Sequence, residues 1–404
     1  MTAALLLAGA LPRLLPPEPG GPVSLAGHTA RYGPPPLVLG RRQRDALIAE
    51  VDRAGLTGRG GAGFPTARKL AAVAAGRAPV VVANGTEGEP ASAKDRVLIA
   101  CSPHLVLDGA VLAAEVTGAR KAVIVVHRDV RAVLDEAMAE RARARSDRVR
   151  LEVRAAAEGF VAGQASAVVQ WVQRGVPAPT ATPPRLAQRG LRGAPTLVQN
   201  VETLAHLALI ARYGAAWFRS AGTPAEPGSM LVTVLGAVRE PGVREVAIGI
   251  PVGQLLDLAG GVSAPLQALL LGGYFGTWVD AAEASARPFS SAGLADLDAG
   301  PGAGLIAALP ASACGLSETA RLVRYLAGES AGQCGPCVFG LPAIAGQVER
   351  LAEGRGADLG LLHRWLGQVD GRGGCAHPDG AVRLVRSALR MFGPELPMPP
   401  GGGR

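Results

Sequence analysis

Three cysteines near the carboxyl end of the chain have the spacing of a metal or iron–sulfur site. Cys334 and Cys337 are separated by two residues in "ESAGQCGPC", and Cys375 is the only later cysteine. Thiolates are common ligands of zinc and of iron–sulfur clusters, and such centres generally take four protein ligands. The spacing therefore predicts one centre at these cysteines and leaves its fourth ligand to be identified.

A glycine-rich loop, "GLTGRGGAGFPTARKL", could hold a phosphate or a flat ring. Gly58, Gly60 and Gly63 match G-x-G-x-x-G, but a predicted helix precedes them where the dinucleotide fingerprint requires a strand. Bare glycine amides allow a ligand to approach closely, and Lys69 would supply positive charge. The alternative interpretation is an ordinary glycine-rich turn.

A second loop, "ANGTEGEP" at 83–90, directly follows a predicted apolar strand. It carries Asn84, Glu87 and Glu89, and ligands of open α/β sheets bind where the strands end. An amide and two carboxylates could hydrogen-bond a flavin ring, a ribose or a nicotinamide. Equally, they could form a solvated turn.

Three folded parts must position these loops. Strand-like segments at 79–85, 121–127 and 149–154 alternate with helical patterns, which predicts an α/β sheet. Between about 228 and 280, two strands joined by a Pro-Gly turn and followed by a short helix predict a small α+β module. From Glu318 onward helical patterns predominate, and the three cysteines lie among them.

The composition is that of a globular protein, with 404 residues of which 48% are hydrophobic and 18% charged. The net charge of +8 comes from 38 arginines and three lysines without a basic block interleaved with aromatic residues, so nucleic-acid binding is not expected. Five cysteines without an even framework indicate a reducing compartment. Neither a signal peptide nor a transmembrane segment is expected, because the apolar start lacks a basic region and the longest uncharged stretch is broken by proline and glycine. We expect a cytoplasmic protein that is peripheral to a membrane only through partners.

Four segments in the same order resemble the flavoprotein subunit (51-kDa or F subunit) of NADH–quinone oxidoreductase, respiratory complex I. They are "GLTGRGGAGFPTARKL", "VVANGTEGEPASAKDRVLI", "GAPTLVQNVETLA" and "GESAGQCGPC", within a similarity that runs from about 44 to 392. The resemblance implies an FMN-binding α/β domain, a small ubiquitin-like (SLBB-like) α+β module, and a C-terminal helical bundle with a [4Fe–4S] cluster. It also implies that electrons pass from NADH through FMN to the cluster, and on to a ferredoxin-like or quinone-reducing partner. The expected parts are an irregular segment at 1–40, the FMN domain at 41–225, the module at 226–312, the helical domain at 313–395 and a tail at 396–404.

The same resemblance assigns roles to individual residues. It implies that FMN is bound by Gly58, Gly60, Lys69, Asn84, Glu87, Gly163, Asn200 and Thr203. Phe64 and Glu89 would contact the nucleotide, and the three cysteines would bind the cluster.

The chain departs from the family pattern at positions that carry chemistry. The replacements are Ala72 and Arg185 for nicotinamide-side aromatics, Thr86 for an aspartate, Gln164 and Ala165 for two glutamates, and Ala331 for the first cluster cysteine. Each loss on the nicotinamide side would remove ~1–3 kcal/mol of recognition. We therefore expect FMN binding to persist and NADH oxidation to be weak or absent. Three functions stay open: an oxidoreductase module, an electron-transfer relay supplied by another donor, and a scaffold with zinc or no metal.

Neither of the two other cysteines suits the fourth cluster position. Cys314 is separated from Cys334 by a predicted helix of roughly 20 Å, at 1.5 Å per residue. Cys101 lies in the first domain and is expected to be a buried small hydrophobe. His377, two residues after Cys375, is the best candidate, because imidazole can bind iron or zinc. The alternatives are a His377 packed near the flavin, an iron open to water, a three-iron cluster, or a Cys3His zinc site.

Overall fold

The computed structural model describes residues 11–17, 20–34, 36, 38, 40–180 and 183–393. The expected tail at 396–404 lies outside these residues, as does part of the expected irregular segment at 1–40. The part of that segment that is described is not wholly irregular, because helix α1 spans Leu25–Tyr32. Its first turn is capped by Ser24, and its buried face presents His28 to Asp108, at 2.8 Å between Nε2 and Oδ2.

The first domain is built on a parallel sheet in the order β3-β2-β1-β4. The strands are β1 Val80–Gly85, β2 Lys121–Val126, β3 Arg150–Ala155 and β4 Thr196–Asn200. The first three coincide with the predicted strands, and their apolar runs are buried because helices cover both faces of the sheet. Helices α2 to α8 are Arg41–Ala54, Thr66–Ala74, Lys94–Cys101, Pro103–Thr117, Arg128–Arg143, Ala165–Arg174 and Val201–Arg219.

The order of this sheet reverses between β1 and β4. The chain moves outward from β1 to β2 and β3, and then returns to add β4 on the other side of β1. A crevice opens at the carboxyl ends of two strands where the order reverses in this way, and ligands of open α/β sheets bind there. The predicted loops after β1 and β4 therefore face the same crevice.

The second domain is a five-stranded mixed sheet in the order β6-β5-β9-β7-β8. The strands are β5 Ser229–Gly236, β6 Gly242–Ala247, β7 Leu266–Leu271, β8 Thr277–Asp280 and β9 Leu305–Pro310, with helices α9 Val252–Leu258 and α10 Ala281–Ser285. The strand, Pro-Gly turn, strand and helix predicted near 228–280 correspond to β5, β6 and α9. The expected boundaries near 226 and 312 fall in the connections before β5 and after β9.

The third domain is helical. Its elements are α11 Gly315–Gly328, a π-helix at Pro336–Gly340, α12 Leu341–Ala352, α13 Leu359–Val369 and α14 His377–Phe392. Their apolar faces form one buried cluster. Among the described residues, no single helix is long and apolar enough to cross a membrane, although α4 and α5 together pass that test while turning by 99° at their junction.

An N-terminal strap, residues 11–17, joins the first two domains. The buried Arg13 side chain donates to the carbonyl of Phe218 at 3.0 Å and to the hydroxyl of Ser220 at 2.9 Å. The backbone amides of Arg13, Leu14 and Leu15 donate to one carboxylate oxygen of Glu245, on β6, at 2.7–3.1 Å. The strap therefore contacts the end of α8 and the second sheet together.

Candidate functional site

Two asparagines mark the crevice at the sheet edge. Asn84 on β1 and Asn200 on β4 are paired in register. Asn84 donates from Nδ2 to the carbonyl of Gly163 at 2.9 Å. Asn200 caps α8 by accepting from the amide of Glu202 at 3.0 Å, and it donates from Nδ2 to Asp95 at 2.6 Å. The structure thus brings together three of the predicted FMN residues, and each asparagine is fixed by its neighbours.

The glycine-rich loop lies directly over the end of β4. The amide of Gly58 donates to the carbonyl of Phe64 at 3.0 Å, which closes the loop. A β-carbon placed on Gly60 would stand 3.3 Å from the β-carbon of Asn200, so a larger residue would force the loop away from the strand. Gly63 has φ +59° and faces open space. The loop is therefore a close-fitting cover whose free amides border the crevice.

Lys69 extends from α3 into the same region. Its Nζ lies 3.4 Å from Oε1 of Gln199 and 5.8 Å from the ring centre of Phe64, whose side chain is 40% exposed. Burial lowers the pKa of Lys69, and within the described chain no carboxylate forms an ion pair with it. A half-buried cation beside bare glycines suits the phosphate of a bound cofactor.

Thr203 anchors the glycine loop. The hydroxyl of this buried residue accepts from the amide of Arg59 at 2.8 Å. Arg59 in turn donates to the carbonyl of Pro227, which precedes the second domain, at 3.1 Å. Sequence reasoning placed Thr203 on the phosphate side and did not identify Arg59. In this geometry Thr203 acts on the loop that would contact the phosphate.

Glu87 caps a helix in this structure. It has φ +47°, and its buried carboxylate accepts from the hydroxyl of Ser92 at 2.6 Å and from the amides of Asp95 and Arg96 at 3.1 and 3.2 Å. These are the first amides of α4, and a carboxylate at a helix N-terminus is favoured by the helix dipole. This role differs from the flavin contact expected from the sequence, because the carboxylate is already engaged by α4.

Three buried polar atoms beside the crevice have no hydrogen-bond partner within the described part of the chain. They are Thr86 Oγ1, Glu89 Oε1 and Gln164 Nε2. The two loops that carry them cross tightly, because a β-carbon on Gly88 would lie 2.2 Å from the carbonyl oxygen of Phe160. Buried polar atoms in native proteins are nearly always paired, so these atoms fit a ligand with its own donors and acceptors. Together with Lys69 they make the crevice suited to FMN.

Glu89 also contacts the second domain. Its Oε2 accepts from the amide of Tyr274 at 2.8 Å. Burial raises the pKa of Glu89 to about 7, against the opposing effect of that hydrogen bond and of one from the amide of Ala91. Phe64 and Glu89, which were predicted to contact the nucleotide, therefore stand at one exposed and one buried position.

A buried ionic cluster that sequence reasoning missed supports Asn200. Lys94 donates to Asp95 at 2.7 Å and to Glu202 at 2.8 Å, and Glu202 also accepts from the amide of Leu231 on β5 at 2.9 Å. Burial alone would lower the pKa of Lys94, but the two carboxylates outweigh it and raise this pKa, so the lysine stays charged. The cluster ties the start of α4, the start of α8 and the second sheet to one point.

The three predicted cluster cysteines lie on adjoining loops of the helical domain. The amide of Cys337 donates to the carbonyl of Cys334 at 3.1 Å, in the turn that opens the π-helix. Burial opposes ionisation of Cys334, but hydrogen bonds from the amides of Gly374 and Cys337 and from the Cys337 thiol lower its pKa. Gly374 directly precedes Cys375, so that loop adjoins the turn. Burial, then the nearby Cys334, raise the pKa of the Cys337 thiol to about 12.

These thiols are not arranged for one metal ion. Among the described residues, no group of three or more His, Cys, Asp or Glu side chains could hold a single ion. Zinc–sulfur bonds of about 2.3 Å would require the sulfurs to converge within about 4 Å of one another. The arrangement gives no support to the zinc alternative, whereas a multinuclear cluster takes more widely spaced thiolates. Cys314 is exposed at the start of α11, and Cys101 is half-buried at the end of α4.

His377 is packed in the interior. Its fully buried ring lies 5.6 Å from the ring centres of Phe160 and Phe275, and Nε2 donates to the carbonyl of Leu326 at 2.7 Å. Its Nδ1 is buried without a partner in the described part of the chain. The structure thus places His377 in the packed alternative and does not join it to the cysteines as a metal-holding group.

An aromatic cluster connects the crevice to the helical domain. Phe160, in the short 3-10 helix that ends at Gly163, lies 4.7 Å from Phe275 and 6.3 Å from Tyr274 between ring centres. The amide of Phe160 donates to Glu329, just after α11, at 2.8 Å. The loop that carries Gly163 and Gln164 is therefore held directly against the domain that carries the cysteines.

A crevice suited to FMN, packed against a helical domain with three clustered cysteines, defines a flavin- and iron–sulfur-binding electron-transfer protein. Family profiles agree in every domain: the Nuo51 FMN-binding domain matches residues 51–209, the SLBB domain 231–273, and the NADH-ubiquinone oxidoreductase-F iron–sulfur binding region 317–398. The chain belongs to the family of NADH-quinone oxidoreductase F subunits. It is accordingly an FMN- and [4Fe–4S]-binding member of an oxidoreductase family, as the sequence predicted.

Relatives of this family are similar over most of the chain. The first of two F subunits of the Rhizobium meliloti NADH-quinone oxidoreductase is 31% identical, over 87% of this chain and 86% of that protein. The F subunit of the Mycobacterium tuberculosis enzyme is 32% identical, over 89% and 86%. An NAD+-reducing [NiFe]-hydrogenase in the H2-reduced state superposes with a TM-score of 0.82 at 33% identity. That match covers 89% of this chain and 64% of the hydrogenase chain, so this chain spans less than two thirds of its length.

Proposed function

We propose that the protein carries electrons from a reduced donor, through FMN in the crevice, to an iron–sulfur cluster at the three cysteines and on to a partner protein. The observation that carries the proposal is the packing of Phe160 and Glu329 between the two sites. This contact fixes the flavin loop against the cysteine-bearing domain, as electron transfer between two bound centres requires.

The residues toward FMN divide into two groups. Lys69 and the amides around Gly58 and Gly60 would hold the phosphate, with Thr203 keeping their loop in place. Asn84, Gly163 and Gln164 would border the ring, where the unpaired Gln164 amide could donate to it. When bound, FMN supplies the conversion of a two-electron donor to one-electron steps.

NADH is the donor that the family name suggests, and we propose that this chain handles it weakly. Phe64 is exposed and free to stack on a ring, and Glu89 offers a buried carboxyl. However, Ala72 and Arg185 are exposed positions without an aromatic ring, and Ala165 has no carboxylate. A relay supplied by a different donor is the second candidate function, and these losses favour it.

The cluster would have Cys334, Cys337 and Cys375 as ligands and a fourth position filled by solvent. Ala331 is exposed and cannot coordinate iron, and His377 is bonded to Leu326. An iron without a thiolate is held less firmly, so mild oxidation should remove it and leave a three-iron species.

The test is anaerobic reconstitution with FMN, iron and sulfide, followed by visible and EPR spectroscopy. We expect resolved flavin bands, a broad iron–sulfur shoulder that dithionite bleaches, and a three-iron EPR signal after oxidation. Stopped-flow mixing with NADH should give slow, incomplete flavin bleaching. A protein that binds one zinc and no sulfide would overturn the cluster assignment, and fast bleaching at micromolar NADH would overturn the weak-donor assignment.

A further inference from the structure

An apolar pair projects into solvent beside the cluster cysteines. Phe339 is 76% exposed and Val338 is 41% exposed, and they follow Cys337 directly in the π-helix. Single exposed apolar residues are common on protein surfaces, but a phenylalanine that is three-quarters exposed loses most of its possible burial energy. Two such residues in succession, at the point where a redox centre meets solvent, mark a candidate docking surface.

The surrounding loops are open and carry no acidic side chain. Residues 330–340 contain no charged residue, and six of these eleven residues are exposed. In the neighbouring loop, 371–376, Arg372 is exposed, and its guanidinium bonds to the carbonyl of Gln368. The acidic residues that flank this loop are engaged within the chain: Asp370 pairs with Arg386, and Asp379 accepts from the amide of Gly371. The face is thus apolar at its centre, with a positive charge at its rim, on a chain of net charge +8.

This combination selects the chemistry of the partner. Protein interfaces place aromatic residues at a buried centre and charges at the rim, where opposite charges steer the encounter. A partner that fits this face would have an apolar patch surrounded by carboxylates. Because the face borders the cluster, that partner would itself be a carrier of single electrons.

We propose that Val338 and Phe339 form the centre of a docking surface for an acidic iron–sulfur protein that exchanges one electron with the cluster of this chain. The inference rests on the proposed function, because it takes the three cysteines to hold the cluster. In the exchange one cluster is oxidised as the other is reduced, and no covalent bond forms or breaks.

The test uses the reconstituted full-length protein and a reduced plant-type [2Fe–2S] ferredoxin as the acidic probe. The probe is mixed with oxidised protein in a stopped-flow instrument, and cluster bleaching is followed at several salt concentrations. Phe339→Glu is compared with Leu258→Glu, a matched control at a 49%-exposed leucine of α9 in the second domain. Dithionite, a small reductant that needs no docking surface, is used in parallel with every variant.

We expect Phe339→Glu to slow reduction by ferredoxin about tenfold or more, as loss of a central aromatic contact does. Leu258→Glu should stay within about twofold of the unmodified protein, reduction by dithionite should be equal in all three, and added salt should slow the ferredoxin reaction. Equal rates in the two variants would overturn the docking surface alone. So would a dimer that Phe339→Glu dissociates, because a second copy would then cover the patch. Failure of dithionite to bleach a cluster in any of the three proteins would overturn the proposed function as well.

Discussion

Lys69 is a cation that no carboxylate within the described part of the crevice neutralises. Its pKa is lowered by burial, so its charged form is disfavoured in the folded protein without a ligand. We expect Lys69→Gln to weaken FMN binding by about tenfold or more, the scale of one charge-assisted hydrogen bond. The same change should leave the FMN-free protein equally stable or more stable. Fluorescence titration with FMN and urea unfolding measure the two effects, and a parallel loss of both would contradict the assignment.

Gly60 is the position where bulk should matter most. A β-carbon there would crowd the β-carbon of Asn200 at 3.3 Å, so Gly60→Val should displace the loop and prevent retention of FMN. Gly40→Val, at a glycine that faces open space just before α2, is the matched control. Flavin stoichiometry of the purified proteins decides, and a Gly60→Val protein with full FMN content would exclude this loop from the site.

Glu89 should give the FMN-free protein a particular pH dependence. Its pKa is about 7 in the folded protein, above the ordinary value of 4.5, because burial favours the protonated form. The stabilisation is fully present below pH 4.5 and is lost as the pH rises through 7. Glu89→Gln should remove this loss, so that the free energy of unfolding of the unmodified protein falls relative to the variant between about pH 5 and 8, by about 1–3 kcal/mol. A difference that is constant over this range would show that Glu89 is ionised throughout.

At the scale of elements, the Lys94 cluster holds three of them in place. Lys94→Met would leave the carboxylates of Asp95 and Glu202 buried without their cation, which we expect to cost about 3–5 kcal/mol. Breaking the exposed pair of Arg324 and Glu349 by Arg324→Ala should cost less than about 1 kcal/mol. Urea unfolding of both variants tests the contrast, and similar losses would mean that the buried cluster contributes no more than a surface pair.

The elements that alternate strictly along the chain are predictable from the sequence, and those that depend on distant contacts are not. The three strands β1 to β3 follow from apolar runs between helical patterns. Strand β4 is recognisable only as a motif, since its five residues become a strand by pairing with β1. Helix α1 lies in a Pro- and Gly-rich segment, and what stabilises its buried face is the contact of His28 with Asp108, eighty residues later.

The same limit applies to individual site residues. The positions of Gly60, Lys69, Asn84 and Asn200 in one crevice follow from the strand order, and the family motif identified them. The capping role of Glu87 depends on its positive φ and on where α4 begins, neither of which residue type specifies. The packing of His377 against Phe160 and Phe275 joins three domains, so no local pattern could have separated it from a cluster ligand.

At the scale of the whole molecule, Glu245 connects the strap to the second domain. Glu245→Ala would leave the buried amides of Arg13, Leu14 and Leu15 without their acceptor, which we expect to cost about 2–4 kcal/mol. Glu240→Ala, at a glutamate whose side chain is 72% exposed, should change stability by less than about 0.5 kcal/mol. Hydrogen exchange should show faster exchange of β6 and the strap in the first variant only. Unchanged protection there would mean that the strap does not secure the two domains.

The strap also sets an order on the events of protein synthesis. Arg13 leaves the ribosome well before its partners Phe218, Ser220 and Glu245, which are made more than 200 residues later. At a synthesis rate of about 5–20 residues per second, the amino-terminal segment waits on the order of 10 seconds or more before it can dock. During that time the flavin domain can form its sheet, but its closure onto the second domain must await translation of β6. A nascent chain stalled before residue 245 would therefore carry a folded first domain with an undocked leading segment.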